Sequence, residues 1–358
     1  MKKYNIESLI ILPKKGPVED VLKSLNFNYR IIPFKLWLNN NSGLVSKFKR
    51  ILWNIIIMIP YAFILKKYKF DLIYTNTSTV SFGAFIAKLL KLPHLWHFRE
   101  FGFEDHGYIY DLGNVISKKL TNYLSTLCLV NSNAVLNKYK NFINTDKLFL
   151  LYEAYYDNNI YNITADFKPS FSSKLNCIII GTIHRGKQQL DAIKAVDVCR
   201  KHGIDVSLTI LGSGDPIYKN EIIDYINQNK LNSYITFIDN IENPKKILPF
   251  YDILLMCSKN EAFGLVTLEA LECGVPVIGT KSGGTVELIN DNINGLLYNP
   301  GDFVDLAGKI SYLYHNPEKR IEMGKNGKDN INIKFSPARY IDQCNKYILM
   351  AIDKFNST

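Results

Sequence analysis

Residues 258–278 read SKNEAFGLVTLEALECGVPVI. Most of this stretch is apolar, yet it holds Glu261, Glu269 and Glu272, with Phe263-Gly264 between the first two. A carboxylate inside an apolar run is costly unless something pairs with it. The pattern predicts a strand over 252–257, a turn at Ser258-Lys259-Asn260 and a helix opened by Phe263-Gly264. Without a side chain, Gly264 lets a ligand approach its backbone. The amides of Gly264 and Leu265 are then first-turn donors with no intrahelical acceptor, a start suited to a diphosphate. A carboxylate accepts well from two vicinal hydroxyls, as in a ribose or a hexose. Periodicity alone does not decide whether Glu261 and Glu269 serve a ligand or face water. Glu272, three residues beyond Glu269, reads as the wet face of an amphipathic helix.

Two neighbouring stretches have the same strand-to-helix form. The strand at 176–180 ends in Gly181, and Thr182-Ile183-His184-Arg185-Gly186-Lys187 leads to a helix expected near Gln188. A glycine, two cations and a helix start together make an anion cradle. The plainer reading is two solvated surface charges. Gly283-Gly284-Thr285-Val286-Glu287 is a third glycine turn, which also fits an ordinary tight turn.

Taken together, these motifs resemble the C-terminal signature of the retaining glycosyltransferases of family 4. They are Ser258-x-x-Glu261-x-Phe263-Gly264-x-Val266-x-Leu268-Glu269-Ala270, Gly274-x-Pro276-Val277-Ile278, and Gly283-Gly284-x-x-Glu287 with Gly295. Gly181…Lys187 is similar to that family's phosphate-binding lysine loop. Gly212-x-Gly214, Tyr251-Asp252 and Pro300-x-Asp302 also fall where the family has them. The likeness is dense over 170–310 and looser elsewhere. It implies the GT-B fold: α/β, two Rossmann-like doubly wound domains facing across a cleft, with a C-terminal helix crossing back to the first. The domains expected are 1–165 for the acceptor, 166–335 for the nucleotide sugar, and a terminal helix over 336–358.

By the same resemblance, Glu261 bonds hydroxyls of the donor sugar and Glu269 holds the nucleotide ribose. The backbone at Ala262, Phe263, Gly264 and Leu265 contacts the sugar and diphosphate, which Lys187 and an arginine neutralise. The family often has arginine directly after Gly181, where this chain has Thr182, so Arg185 is the substitute. His97, at the end of the expected strand 94–98, maps onto the family's active-site histidine. The plainer reading is a packed strand histidine. Arg99 and Glu100, which follow, either contact the acceptor or pair with each other. In Pro13-Lys14-Lys15-Gly16-Pro17 only Gly16 remains of the family's glycine-rich donor loop.

The rest of the chain agrees with two α/β halves. Short apolar runs alternate with helical segments over 9–151, and again over 176–298. The polar stretch DNNIYNITADFKPSFSSK, 157–174, is the linker candidate, and helices are expected to close the chain. Six cysteines without a Cys-x-x-Cys pair suit a reducing compartment and give no sign of zinc. The run Leu9 to Leu12 is too short for a signal-peptide core, so it reads as a strand and the protein as cytoplasmic.

Charge is lopsided. Residues 1–70 hold 13 Lys/Arg and 3 Asp/Glu, net +10, whereas residues 171–358 hold 21 of each. An anionic partner follows from the first half. Within it, KFKRILWNIIIMIPYAFILKKYK (47–69) carries a 15-residue apolar run with basic flanks. That run is too short to span a bilayer, which takes about 20 residues. It reads either as a buried helix or as a surface peripheral on the inner face of the cell membrane.

The function implied is transfer of a hexosyl unit from a nucleotide-diphosphate sugar, UDP-linked by preference, to a hydroxyl of a glycan or lipid-linked saccharide, as in capsule or other polysaccharide biosynthesis. The resemblance implies front-side attack assisted by the leaving diphosphate, with no cofactor and no metal. No Asp-x-Asp motif is present. Nucleic acid is not an expected partner, since no recognition motif accompanies the charge. The alternatives are a non-catalytic GT-B subunit of a membrane-bound transferase complex and a GT-B sugar epimerase.

Overall fold

A computed structural model describes residues 4–40, 43–155, 174–241 and 243–357. Two compact units are formed, by residues 1–151 with 341–358 and by residues 152–340. Apart from Lys174, the linker candidate at 157–174 and the domain boundary expected at 165/166 lie outside the described residues.

The first unit runs β1 (Leu9–Leu12), α1 (Val18–Ser24), β2 (Asn28–Ile31), β3 (Leu38–Asn39), α2 (Leu44–Lys66), β4 (Ile73–Thr75), α3 (Phe82–Leu90) and β5 (His94–Phe98). It continues with α4 (Phe103–His106), β6 (Ile109–Tyr110), α5 (Gly113–Leu124), β7 (Leu127–Val130), α6 (Asn133–Tyr139) and β8 (Leu148–Leu150). β4-β5-β7-β8 form a parallel sheet, β1 and β2 a parallel pair, and β3 and β6 an antiparallel one. Burial on both faces explains the unbroken apolar run of β7, and in β5 it encloses His94 and His97 as well.

One element of this unit departs from expectation. α2 has 23 residues, eight more than the apolar run. It is long and apolar enough to cross a membrane by length and composition, yet only 17% of its most apolar 18-residue window is buried. Neither "too short to span" nor "buried core helix" describes it. Lys47, Lys49 and Arg50 continue the helix at its start, because long basic side chains are good helix formers.

The second unit begins with β9 (Leu175–Ile180), α7 (Gln189–Lys201), β10 (Val206–Leu211), α8 (Pro216–Gln228), β11 (Ile235–Ile238), β12 (Ile253–Met256) and α9 (Leu265–Glu272). It closes with β13 (Val277–Thr280), α10 (Thr285–Leu288), β14 (Gly295–Tyr298), α11 (Phe303–His315) and α12 (Pro317–Lys334). Its six strands are all parallel, in the order β11-β10-β9-β12-β13-β14. β9 alternates between two cores. Cys177 and Ile179 join Val196, Ile222 and Ile310 of α7, α8 and α11, while Ile178 and Ile180 join Leu268, Leu271 and Ile331 of α9 and α12. This is the doubly wound order, and it reverses between β9 and β12. Ligands of such sheets sit at the carboxyl ends of the two strands flanking that reversal. The last helix, α13 (Pro337–Asn356), is tied to the first unit where the Tyr347 hydroxyl donates to Leu150 O at 3.2 Å and Lys354 pairs with Asp146.

Glu272 is corrected. It is buried and pairs with Lys245, which is buried too. α9 has no wet face there, because the sheet covers one side and α12 the other, so that Thr267, Leu268, Ala270 and Leu271 are all at most 1% exposed. Breaking a buried pair strands a charge. Lys245→Met should therefore destabilise the fold by about 3–5 kcal/mol, and Lys245→Met with Glu272→Leu should recover most of that. Urea unfolding of the three proteins measures both.

Candidate functional site

The loops after β9 and β12 meet at the strand-order reversal. β9 leads into Gly181, and the chain passes through a 3₁₀ turn, Arg185–Lys187, before α7 begins at Gln189. β12 leads to Ser258, and Lys259 N donates to Gly186 O at 3.2 Å, joining the two loops. Lys187 Nζ then reaches Glu261 Oε2 at 2.7 Å. The Lys187 stem lies 3.8 Å from where a Cβ on Gly181 would stand. So Gly181, Lys187 and Glu261, 80 residues apart at the extremes, gather at one point of the unit.

The anion cradle expected at the start of α7 is not what forms. His184 caps the turn by accepting from Gly186 N at 3.1 Å, Lys187 N donates to His184 O, and Gln188 N donates to Arg185 O. Leu190 N donates to the Tyr218 hydroxyl. These amides are spent within the turn and on α8. Gln188 takes the left-handed conformation (φ 55°) that lets the turn enter α7.

Arg185 is not gathered with Lys187. Its guanidinium donates to both carboxylate oxygens of Glu221 on α8, at 2.5 and 3.3 Å, and lies 5.3 Å from the Tyr218 ring centroid. Both partners are largely exposed, so the pair is weakly held.

The open helix start is that of α9. Gly264 precedes it at φ 99°, a conformation that strains any other residue, and no side chain caps it. Leu265 and Val266 are half-buried at its first turn, and Glu269, one turn beyond Leu265, is on the same side. Phe263 is an anchor instead, 2% exposed against Tyr152 and Phe335, and Ala262 is buried beside it. The Tyr152 hydroxyl donates to Glu287 at 2.8 Å, tying α10 to the same cluster.

Gly283-Gly284 is more than a tight turn. Gly284 N donates to Glu261 O at 2.7 Å, and a Cβ on Gly283 would stand 2.4 Å from that oxygen. The turn lies directly on the backbone that carries Glu261, which a glycine pair in sequence did not reveal.

Burial raises the Glu269 carboxyl to about 7, opposed by Lys245 and reinforced by Glu272. Periodicity does not reveal this, because the burial of α9 comes from packing against the sheet and α12.

In the first unit, His97 is fully buried, with Nδ1 2.7 Å from the Tyr74 hydroxyl. Burial, aided by Arg99, holds its pKa well below the ordinary value, so the imidazole is neutral. That surrounding matches the packed strand histidine. Glu100 accepts from the Thr77 hydroxyl at 2.6 Å and from Ser78 N and Oγ at 3.0 and 2.9 Å, which fixes the loop after β4. Gly16 is exposed with its N–H donating to Glu19 at 3.1 Å, and nothing lies within 4 Å of a Cβ there, so its surroundings do not demand glycine. Among the described residues no three His, Cys, Asp or Glu side chains cluster as metal ligands.

Residues 164–330 match the family model described as Glycosyl transferases group 1. The N-acetyl-alpha-D-glucosaminyl L-malate synthase of Bacillus anthracis is 26% identical over 265 residues, 74% of this chain and 65% of that protein. The human Alpha-1,3/1,6-mannosyltransferase ALG2 is 32% identical over 130 residues, 36% of this chain and 31% of that protein. The chain thus spans less than two thirds of these relatives' length. Anabaena Alr3699/HepE, solved in complex with UDP and glucose, has a TM-score of 0.78 at 20% identity, covering 95% of this chain and 91% of that one. The shared fold is GT-B. Within the matched segment, Lys187, Glu261 and the start of α9 stand together, and Arg185 stands apart.

Two outcomes follow. Because the folded-state pKa of Glu269 lies above its ordinary 4.5, stability falls as pH rises from there through about 7. Glu269→Gln should therefore gain thermal stability over the parent at pH 8 and little at pH 5, as differential scanning calorimetry would register. Gly284→Ala places a Cβ 2.5 Å from Ala262 O and should shift the Glu261 backbone. A lowered melting temperature together with weakened nucleotide binding is the expected result.

Proposed function

We propose that the chain is a retaining glycosyltransferase that moves a hexosyl unit from a UDP-linked sugar to a hydroxyl of a glycan or lipid-linked saccharide, in the assembly of a capsule or similar polysaccharide. The observation that carries this reading is the Lys187–Glu261 pair beside the uncapped start of α9, at the strand-order reversal of a group 1 glycosyl transferase domain. UDP and glucose in the complex of the similarly folded Anabaena protein support the choice of donor.

The chemistry follows from the charges. When the bond from the sugar C1 to the phosphate oxygen breaks, its electron pair leaves with the diphosphate. The Lys187 ammonium and the positive end of α9 meet that charge. Glu261 neutralises Lys187. Donor binding lets the ammonium turn to the diphosphate and frees Glu261 to accept from sugar hydroxyls. Glu269, on the same side of α9 as Leu265, accepts from the ribose hydroxyls. Arg185 adds a second cation once it exchanges Glu221 for the diphosphate. His97 belongs to the first unit, and the reading does not rest on it.

Retention fits an acceptor hydroxyl that attacks from the face the diphosphate leaves and gives that diphosphate its proton. Lys187 and α9 then supply the countercharge without a divalent ion. We place the reaction on the cytoplasmic side, at the inner face of the cell membrane, because the basic first half suits an anionic surface.

The test is a panel of nucleotide sugars with the purified protein. UDP-sugars should be bound and slowly hydrolysed, with turnover unchanged by EDTA; no bound donor would refute the reading. Lys187→Ala and Glu261→Ala should each lower turnover by about 10²-fold or more. UDP affinity separates the two roles: it should drop in Lys187→Ala and persist in Glu261→Ala.

A further inference from the structure

We infer that α2 is a membrane-docking helix that lies in the plane of an anionic phospholipid surface. Along it Val45, Phe48, Leu52, Ile55, Ile59 and Phe63 recur every three or four residues, and all are exposed. That spacing puts them on one face of the helix. The other face is fixed to the first unit. Ile57, Ala62 and Leu65 pack on Phe82 and Ile86 of α3. Asn54 accepts from Lys35 N at 2.8 Å and donates to Lys35 O at 3.0 Å. The Arg50 guanidinium donates twice to Asp111, whose side chain is only 1% exposed.

The occupant is set by charge. Lys49 stands beside the first turns of the apolar stripe, and Lys66, Lys67 and Lys69 follow it, all exposed. Residues 1–70 carry net +10 in all. An apolar face with basic ends suits lipid acyl chains bordered by anionic headgroups. A second protein chain would need carboxylates at both ends of a matching apolar groove, whereas an anionic bilayer offers both features everywhere.

The fixed face also decides the orientation. The helix is about 34 Å long, enough to cross a hydrocarbon core. Crossing would carry Arg50–Asp111 and Asn54–Lys35, with the backbone of residue 35, into lipid, where such groups need full internal pairing. Lying flat keeps them on the protein side and buries only the stripe. Trp53, whose indole donates to Pro33 O at 2.6 Å, lies at the edge of that stripe, where an amphipathic ring suits the headgroup boundary.

The inference deepens the reading of a lipid-linked acceptor and relies on it only for its purpose, not for the binding itself. The test is flotation of the full chain with vesicles of phosphatidylcholine alone or mixed with phosphatidylglycerol. The parent should float with the mixed vesicles and be released by alkaline carbonate. A Phe48→Glu/Ile59→Glu/Phe63→Glu variant should float with neither. A Lys49→Glu/Lys66→Glu/Lys67→Glu variant should lose on the order of tenfold or more in binding to the mixed vesicles. Both variants should keep the parent's UDP affinity, which shows that they are folded.

Absence of flotation by the parent, or unchanged flotation of the glutamate variant, overturns the docking face. Resistance to carbonate overturns the in-plane orientation. A parent dimer that the glutamate variant splits, without vesicle binding, assigns the stripe to a second copy instead. Vesicle binding without UDP binding would refute the transferase reading and leave the docking face standing.

Discussion

The second unit depends on one constraint: its parallel sheet reverses direction of winding between β9 and β12. The loops leaving those two strands turn to opposite faces, so a gap opens at their carboxyl ends. Lys187 and Glu261 close that gap with a single ion pair. Around it the surroundings are backbone, with Lys259 N on Gly186 O on one side and Gly284 N on Glu261 O on the other. Glycine at 283 and 284 is what lets three loops share so small a space.

The two glutamates of α9 separate for a related reason. The helix is enclosed by the sheet and by α12, and only its first turn and the side of Glu269 remain partly open. Glu272 falls inside and takes Lys245 as its partner. Glu269 is left at the edge of that pair, with a carboxyl that burial raises and Lys245 pulls back. Burial thus sets the charge of Glu269, and the neighbouring ion pair adjusts it in two opposed directions. That is a coupling between stability and ligand chemistry within one short helix.

The start of α7 gives the opposite lesson. A glycine, two cations and a helix start describe an anion site in sequence. In the structure the amides of Gly186, Lys187, Gln188 and Leu190 donate to His184, to the turn itself and to Tyr218. What this loop places beside Glu261 is the Lys187 ammonium. The positive helix end is supplied by α9 instead, because Gly264 leaves it uncapped.

The sequence by itself determined the alternation of strands and helices, the glycine turns at strand ends, and the residue set Gly181, Lys187, Glu261, Gly264 and Glu269. These are legible because period and turn chemistry are local properties of the chain. The strand at 94–98 was readable to the residue for the same reason. Tertiary structure alone decided which side chains are spent. Burial of Glu272 depends on α12, 45 or more residues away, and the Arg185–Glu221 pair depends on α8. The exposure of α2 could not be read either, since an apolar helix has the same sequence whether a core covers it or leaves it bare. Partners distant in sequence set burial, and burial sets whether a charge is a ligand's contact or a structural one.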